Sequence, residues 1–244
     1  MSWDLSDGEI HFLWWFIQGS IMNPETRRRL RQAWGFCQRH ACGFVAVECA
    51  FRQGWLHGSA LLYEDLLGRA RDVLNGPVLV KPLIAYRLRE RRSCMLCELG
   101  VGPQSVGYAS ADILARGRDV STLQAFARET RGDWEARVCD RCLGHASGTR
   151  WCRPHLVAAI RQGDPIDLDA ERASVQTDFV HLQRYARSFR WEHRGTETIA
   201  DRAALIAAIG WCSGWTEWLR LVDGPANAAS DQTTPRSRSS PFPG

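Results

Sequence analysis

Eight residues of this chain fall into four doublets whose types and spacing suit a metal ion: Cys37-x2-His40, Cys94-x2-Cys97, Cys139-x2-Cys142 and Cys152-x2-His155. A gap of two lets one tight turn aim both side chains at a single point, and thiolate and imidazole are donors that Zn2+ accepts. Six cysteines and two histidines make two tetrahedral Cys3His sites, so the sequence predicts two bound zinc ions. Closed four-coordinate sites leave no position for water or substrate, which distinguishes structural from catalytic zinc.

Two doublets share a local design. In Trp34-Gly35-Phe36-Cys37 and Trp151-Cys152 an aromatic residue precedes a C-x2-H pair that opens an apolar helical run, and Pro154 suits the first turn of a helix. A thiolate placed there meets the positive end of the backbone dipole, which favours ionised sulfur. The other two doublets supply thiolates only. Local pairing joins Cys139 and Cys142 to Cys152 and His155 across residues 143–151, leaving Cys37 and His40 for Cys94 and Cys97. Crossed pairing of Cys94 and Cys97 with Cys152 and His155 satisfies the same arithmetic, so both schemes remain open at this stage.

The remaining cysteines and histidines read differently. Cys42, Cys49 and Cys212 lie in apolar helical runs and are expected to be small core residues. His145 lies between the last two doublets and reads as a solvated loop residue that could substitute for a ligand. His57, His181 and His193 have no partner at ligand spacing and are expected at the surface or at caps. An odd count of nine cysteines, clustered in doublets with no export signal before them, argues for reduced thiolates and a cytoplasmic protein.

The elements that must hold these residues read as helices. At 244 residues and 45% apolar content the chain can bury a full core. No stretch alternates apolar and polar residues long enough to make a strand. Over Ser59 to Leu74, Leu62, Leu66, Ala70 and Val73 form a helical stripe, and Val175, Phe179, Leu182, Ala186 and Phe189 form another over about Asp169 to Trp191. Gly195 reads as a stop, and Thr196, Glu197 and Asp201 as the start of a last helix reaching roughly Leu221. The expectation is an all-α bundle with two Cys/His zinc-binding turns over residues 1–223, a loop-rich stretch at Gly100 to Tyr108, and a disordered tail over residues 224–244 rich in Pro, Ser and Thr.

The apolar runs Ile10 to Met22 and Ala203 to Cys212 are too short to span a bilayer, so no membrane association is expected. Trp211, Trp215 and Trp218 are expected in the core, with a partner interface as the alternative. The net charge of +4 is small, and Lys81 is the only lysine. Arginine excess can mark phosphate or nucleic-acid contacts, or simply a genome rich in G and C.

The chain resembles a family of uncharacterised bacterial helical proteins carrying repeated C-x2-C and GFCxxH-like motifs. The resemblance rests on Gly35-Phe36-Cys37 through His40, Leu62 through Leu67, Cys94 through Cys97, Cys152 through Leu156, and Tyr185 to Gly195, and it spans about residues 34 to 215. It implies an all-helical fold and zinc, and brings no activity with it. The family carries a further C-x2-C ahead of its GFCxxH motif. Here no cysteine precedes Cys37, so the resemblance leaves open which doublet completes the first site.

These readings favour a non-enzymatic, zinc-stabilised helical protein that presents a surface to a protein partner. A first alternative is a nucleic-acid or phosphate binder using Arg184, Arg187, Arg190 and Arg194 with Trp191, or the run Arg87, Arg89, Arg91 and Arg92; the bland reading of the first set is a solvated face paired with Glu171, Glu192 and Glu197. A second is a redox-sensitive zinc-thiolate switch. Deaminase-type zinc chemistry needs a glutamate two residues after a histidine, and no histidine here has one. A thioredoxin-like role for Cys94 and Cys97 needs a βαβ setting. No catalytic residue is therefore assigned.

Overall fold

The computed structural model describes residues 4–75, 81–145 and 147–224. Among these the chain is all-α, built from α1 (Asp7–Phe16), α2 (Pro24–Ala33), α3 (Gln38–Phe51), α4 (His57–Asn75), α5 (Lys81–Leu88), the single turn α6 (Met95–Glu98), α7 (Ala111–Arg118), α8 (Ser121–Glu129), the turn α9 (Arg131–Trp134), α10 (Arg153–Gln162), α11 (Leu168–Ser188), α12 (Ile199–Ser213) and α13 (Thr216–Asp223). The expected tail lies outside the described residues from position 225 onward. No described helix is long and apolar enough to cross a membrane.

The centre is formed by α4, α11 and α12 packed on one another. The α4 stripe buries Leu62, Leu66 and Ala70, and the α11 stripe buries Val175, Phe179, Leu182 and Ala186, which is why apolar side chains recur every three or four residues in both. Around this centre, α3 packs against α1, α7 and α13, and α10 packs against α5 and α12. Local chemistry sets several helix starts. The Asn23 carboxamide caps α2 with Pro24 at its first position, and Asp167 caps α11.

Three expected boundaries move. The last helix begins after Thr198, whose hydroxyl and backbone exchange hydrogen bonds with Asp201 in a capping box, rather than at Thr196. It does not continue to Leu221 but breaks at Gly214, which adopts φ +103°. There Trp215 turns back onto α12 and stacks on Trp134 with ring centroids 5.9 Å apart. The helix expected over Asp169 to Trp191 ends at Ser188, and Trp191 opens a separate 3-10 turn, Trp191–His193, where it is exposed. The apolar N-terminal run divides likewise into α1 and a 3-10 turn at Ser20–Met22. Trp211, Trp215 and Trp218 are all buried, as are Cys42, Cys49 and Cys212.

The Trp215 turn depends on Gly210, because a Cβ there would sit 2.3 Å from the indole. Intrinsic helix propensity favours alanine over glycine by about 1 kcal/mol, whereas overpacking a filled core costs about 1–3 kcal/mol. Gly210→Ala is therefore expected to lower the free energy of urea-induced unfolding, by up to about 2 kcal/mol, the opposite sign to propensity alone.

Candidate metal centres

The first cluster begins at the entry to α3. Trp34 and Gly35 both take positive φ, 59° and 92°, turning the chain sharply after α2. Cys37 then stands at the N-cap in an extended conformation and makes no cap hydrogen bond to the backbone. Its thiol is left to face His40, one turn into the helix, with Sγ 3.2 Å from Nδ1. Cys94 and Cys97 come from the start and the body of α6. Their sulfurs lie 3.4 and 3.5 Å from the same Nδ1, and Cys37 Sγ is 3.8 Å from Cys97 Sγ.

The second cluster repeats this arrangement at α10. Cys152 is the N-cap, again without a side-chain cap bond, with Arg153 and Pro154 completing the first turn ahead of His155. His155 Nδ1 lies 3.3 Å from Cys139 Sγ, 3.5 Å from Cys142 Sγ and 3.3 Å from Cys152 Sγ. The turn carrying Cys139 and Cys142 is closed by Asp140. Its carboxylate accepts the Thr149 and Arg150 backbone N–H groups at 2.8 and 3.0 Å and pairs with the Arg150 guanidinium. Gly148 is required at this closure, since a Cβ there would meet the Asp140 side chain at 2.2 Å.

The doublets thus group locally: Cys37, His40, Cys94 and Cys97 in one quartet, Cys139, Cys142, Cys152 and His155 in the other, each with its four donor atoms within 4.8 Å of one another. Each quartet can hold a metal ion. The chain matches no protein-family model, no curated protein and no solved structure. What the sites can do therefore follows from their own chemistry.

Crowding decides the ionisation of the thiols. Cys94, with the Cys37 thiol and the His40 ring beside it, overcomes its burial and has its pKa lowered to about 4, while Cys37 is pushed far up by its Cys94 neighbour. In the second quartet Cys142 and Cys152 hold Cys139 far below the ordinary thiol range, and Cys139 in turn drives Cys152 far above it. A divalent cation among the four donors would favour the ionised form of all three thiols in each quartet.

The His40 ring is aimed from behind by a carboxylate. Nε2 lies 3.2 Å from Oε1 of Glu9, which is fully buried and also pairs with Arg39 at 2.6 Å. Burial opposes ionisation of Glu9, but His40, Arg39 and the Ser6 backbone N–H together hold its pKa down to about 2. Burial likewise favours a neutral His40, yet Cys94 and Glu9 outweigh it and raise the ring to about 9. Among the described residues Nε2 has no hydrogen-bond partner of good geometry, so the Glu9 carboxylate acts on the ring as a nearby charge. With an ion at Nδ1, Nε2 would lie on the Glu9 side, where a carboxylate behind the ring supports a metal-bound histidine.

One buried arginine ties the two sites together. Arg153, at the first position of α10, donates to the carbonyls of Cys212 and Leu88 at 2.9 and 3.0 Å and pairs with Glu90 at 2.5 Å. Its guanidinium also lies 5.5 Å from the centre of the Trp34 ring, beside the first quartet. From the same end of α12, Ser213 Oγ donates to the Phe36 carbonyl at 3.0 Å, and the Thr216 N–H donates to Gln38 Oε1 at 3.1 Å. The α12–α13 junction thus grips the first turns of both α3 and α10.

His145 is exposed and belongs to neither quartet. His181 bonds the Asp201 carboxylate at 2.7 Å, the His57 ring packs on Phe189, and His193 is exposed. Burial pushes Cys49 and Cys212 up to about 12 and Cys42 higher still, so these thiols stay protonated. Sequence reasoning missed Glu9, Arg39, Asp140 and Arg153. Only Glu9 left a signal, the S-x-x-E spacing from Ser6, and that signal points to a helix cap.

Glu9→Gln preserves the cap geometry but removes the charge behind His40. It is expected to weaken metal binding at the first quartet by about 10–100-fold and to leave the second unchanged. Competition against a chromophoric chelator checks this, reading as one tight and one weakened ion.

Proposed function

We propose that both quartets bind structural zinc and that the protein is a non-enzymatic helical scaffold whose shape the two ions maintain. The observation that carries this reading is the set of donor separations. Zinc–sulfur bonds of about 2.3 Å and zinc–nitrogen bonds of about 2.0–2.1 Å at tetrahedral angles put sulfurs about 3.8 Å apart and sulfur about 3.5 Å from nitrogen. Both quartets have a sulfur pair at 3.8 Å and sulfur–nitrogen separations of 3.2–3.5 Å. A disulfide would need sulfurs about 2.05 Å apart. Soft thiolates favour zinc over magnesium or calcium, and four protein donors leave no place for a substrate.

Each ion would pin the first turn of a core helix, α3 or α10, to the short turn that carries the other two thiols. That is a task for a structural site, and the surface left outside is available to a protein partner. Membership of the bacterial helical Cys/His family is part of the same proposal and rests on the motifs between residues 34 and 215.

Cys152→Ser is expected to reduce bound zinc from two ions to one. A loss of about 5 kcal/mol, under half the apparent free energy of a structural zinc site, lowers Tm by about 10–20 °C in a chain of this size. Cys212→Ser, which alters a buried thiol outside both quartets, retains both ions. Elemental analysis with differential scanning calorimetry checks the pair. Full zinc content and an unchanged Tm in Cys152→Ser would contradict the assignment.

A further inference from the structure

At and just beyond the C-terminal end of α11, away from both quartets, arginine outnumbers acid. Arg184, Arg187, Arg190 and Arg194 are all exposed, and among the described residues none of them forms an ion pair. Of the nearby carboxylates, Glu129 pairs with Arg202 at 2.6 Å, while Glu171 lies buried in the first turn of α11, at the far end of the helix from these arginines. Glu192 is exposed and forms no ion pair among the described residues, and one glutamate against four arginines leaves the segment 184–194 a positive excess. Arg184 and Arg187 on the last turns of α11, with Arg190 and Arg194 on either side of the 3-10 turn, leave this surface with more positive than negative charge.

Beside them is a cleft of about 360 Å3. Its floor is aromatic, with Tyr185 and Trp55 packed on Phe189 at ring separations of 5.0 and 5.6 Å. Trp55 is 43% exposed, and the Arg194 guanidinium stands 5.0 Å from the centre of its ring. Glu197 also lines the cleft, and its Oε2 is buried with no hydrogen-bond partner. Trp191, 82% exposed, projects from the 3-10 turn in the middle of the arginines. An apolar floor, a lone acceptor and a cationic rim are three different demands on one ligand.

We propose that this face binds single-stranded nucleic acid. The cleft takes one unstacked base on the Trp55, Tyr185 and Phe189 surface, Arg187, Arg190 and Arg194 hold the flanking phosphates, and Trp191 stacks on a neighbouring base. Every base offers a π-face to an aromatic platform, and the arginine fork matches phosphate oxygens. A carboxylate only accepts hydrogen bonds, so Glu197 Oε2 selects a base with an exocyclic amino group and disfavours uracil, whose carbonyls flank its single N–H. An acidic protein surface would satisfy the arginines but would leave the aromatic floor and Glu197 without partners.

The test is fluorescence anisotropy on the intact zinc-loaded protein with 5′-labelled 12-mers of rC, rU and dC. We expect oligo(rC) to bind at 50 mM KCl several-fold tighter than oligo(rU), and to weaken by about 20-fold at 200 mM if the three arginines neutralise three phosphates, each adding about 0.7 to the slope of log affinity against log salt. The ratio of rC to dC separates RNA from DNA as the natural source, and binding of either upholds the proposal. Arg190→Glu with Arg194→Glu is expected to lower affinity more than tenfold at unchanged Tm and zinc content. Trp191→Ala is expected to cost at least about fivefold, and Glu197→Gln to abolish the preference over oligo(rU). Failure of every 12-mer to bind at 50 mM overturns the proposal. So does binding that heparin displaces equally well and that ignores base identity, Trp191 and the two arginines, since that would be attraction for any polyanion.

Discussion

Three thiols and an imidazole held within 4.8 Å of one another, twice in one chain, are the constraint on which the other features depend. Neutral thiols at that distance gain little from each other, and ionised ones repel. The thiol that ionises first suppresses its neighbours, which is the opposed displacement of Cys94 and Cys37 in one quartet and of Cys139 and Cys152 in the other. A cation converts this conflict into attraction. The helix N-termini help, because Cys37 and Cys152 lie where backbone N–H groups point outward and no hydroxyl or carboxylate takes the cap.

The fold then couples the sites rather than leaving each in its own loop. Arg153 is buried, so its charge must be met by good partners, and it finds them in Glu90 and the Cys212 and Leu88 carbonyls. Those partners belong to the segment after α5 and to the end of α12, while Ser213 and Thr216 reach the first turn of α3. The break at Gly214 makes this possible. Had α12 continued straight to Leu221, Trp215 could not have folded back onto Gly210 and Trp134, and the junction would not reach both Cys/His turns.

Much of this was legible in the chain. The four doublets, the stripes of α4 and α11 and the buried tryptophans follow from spacing and apolar content, since metal-binding turns and amphipathic helices are local patterns. The pairing of the doublets was not, because it depends on where α6 lies relative to α3, a contact across more than fifty positions that no local pattern encodes. The end of α12 was missed because Gly210 and Gly214 look alike in sequence, yet one admits a packed indole and the other a positive φ. Glu9 was hidden by economy of use, serving through Oε2 as the capping-box acid of α1 and through Oε1 as the neighbour of the His40 ring. The arginines at and beyond the end of α11 were visible, but their lack of ion-pair partners among the described residues is a property of the folded surface and not of the spacing.

The most direct test of the central claim is native mass spectrometry, with elemental analysis, of protein purified without chelator. Two zinc ions per folded chain is the result expected from two complete Cys3His quartets. One ion, or none, in a chain that remains folded would contradict it.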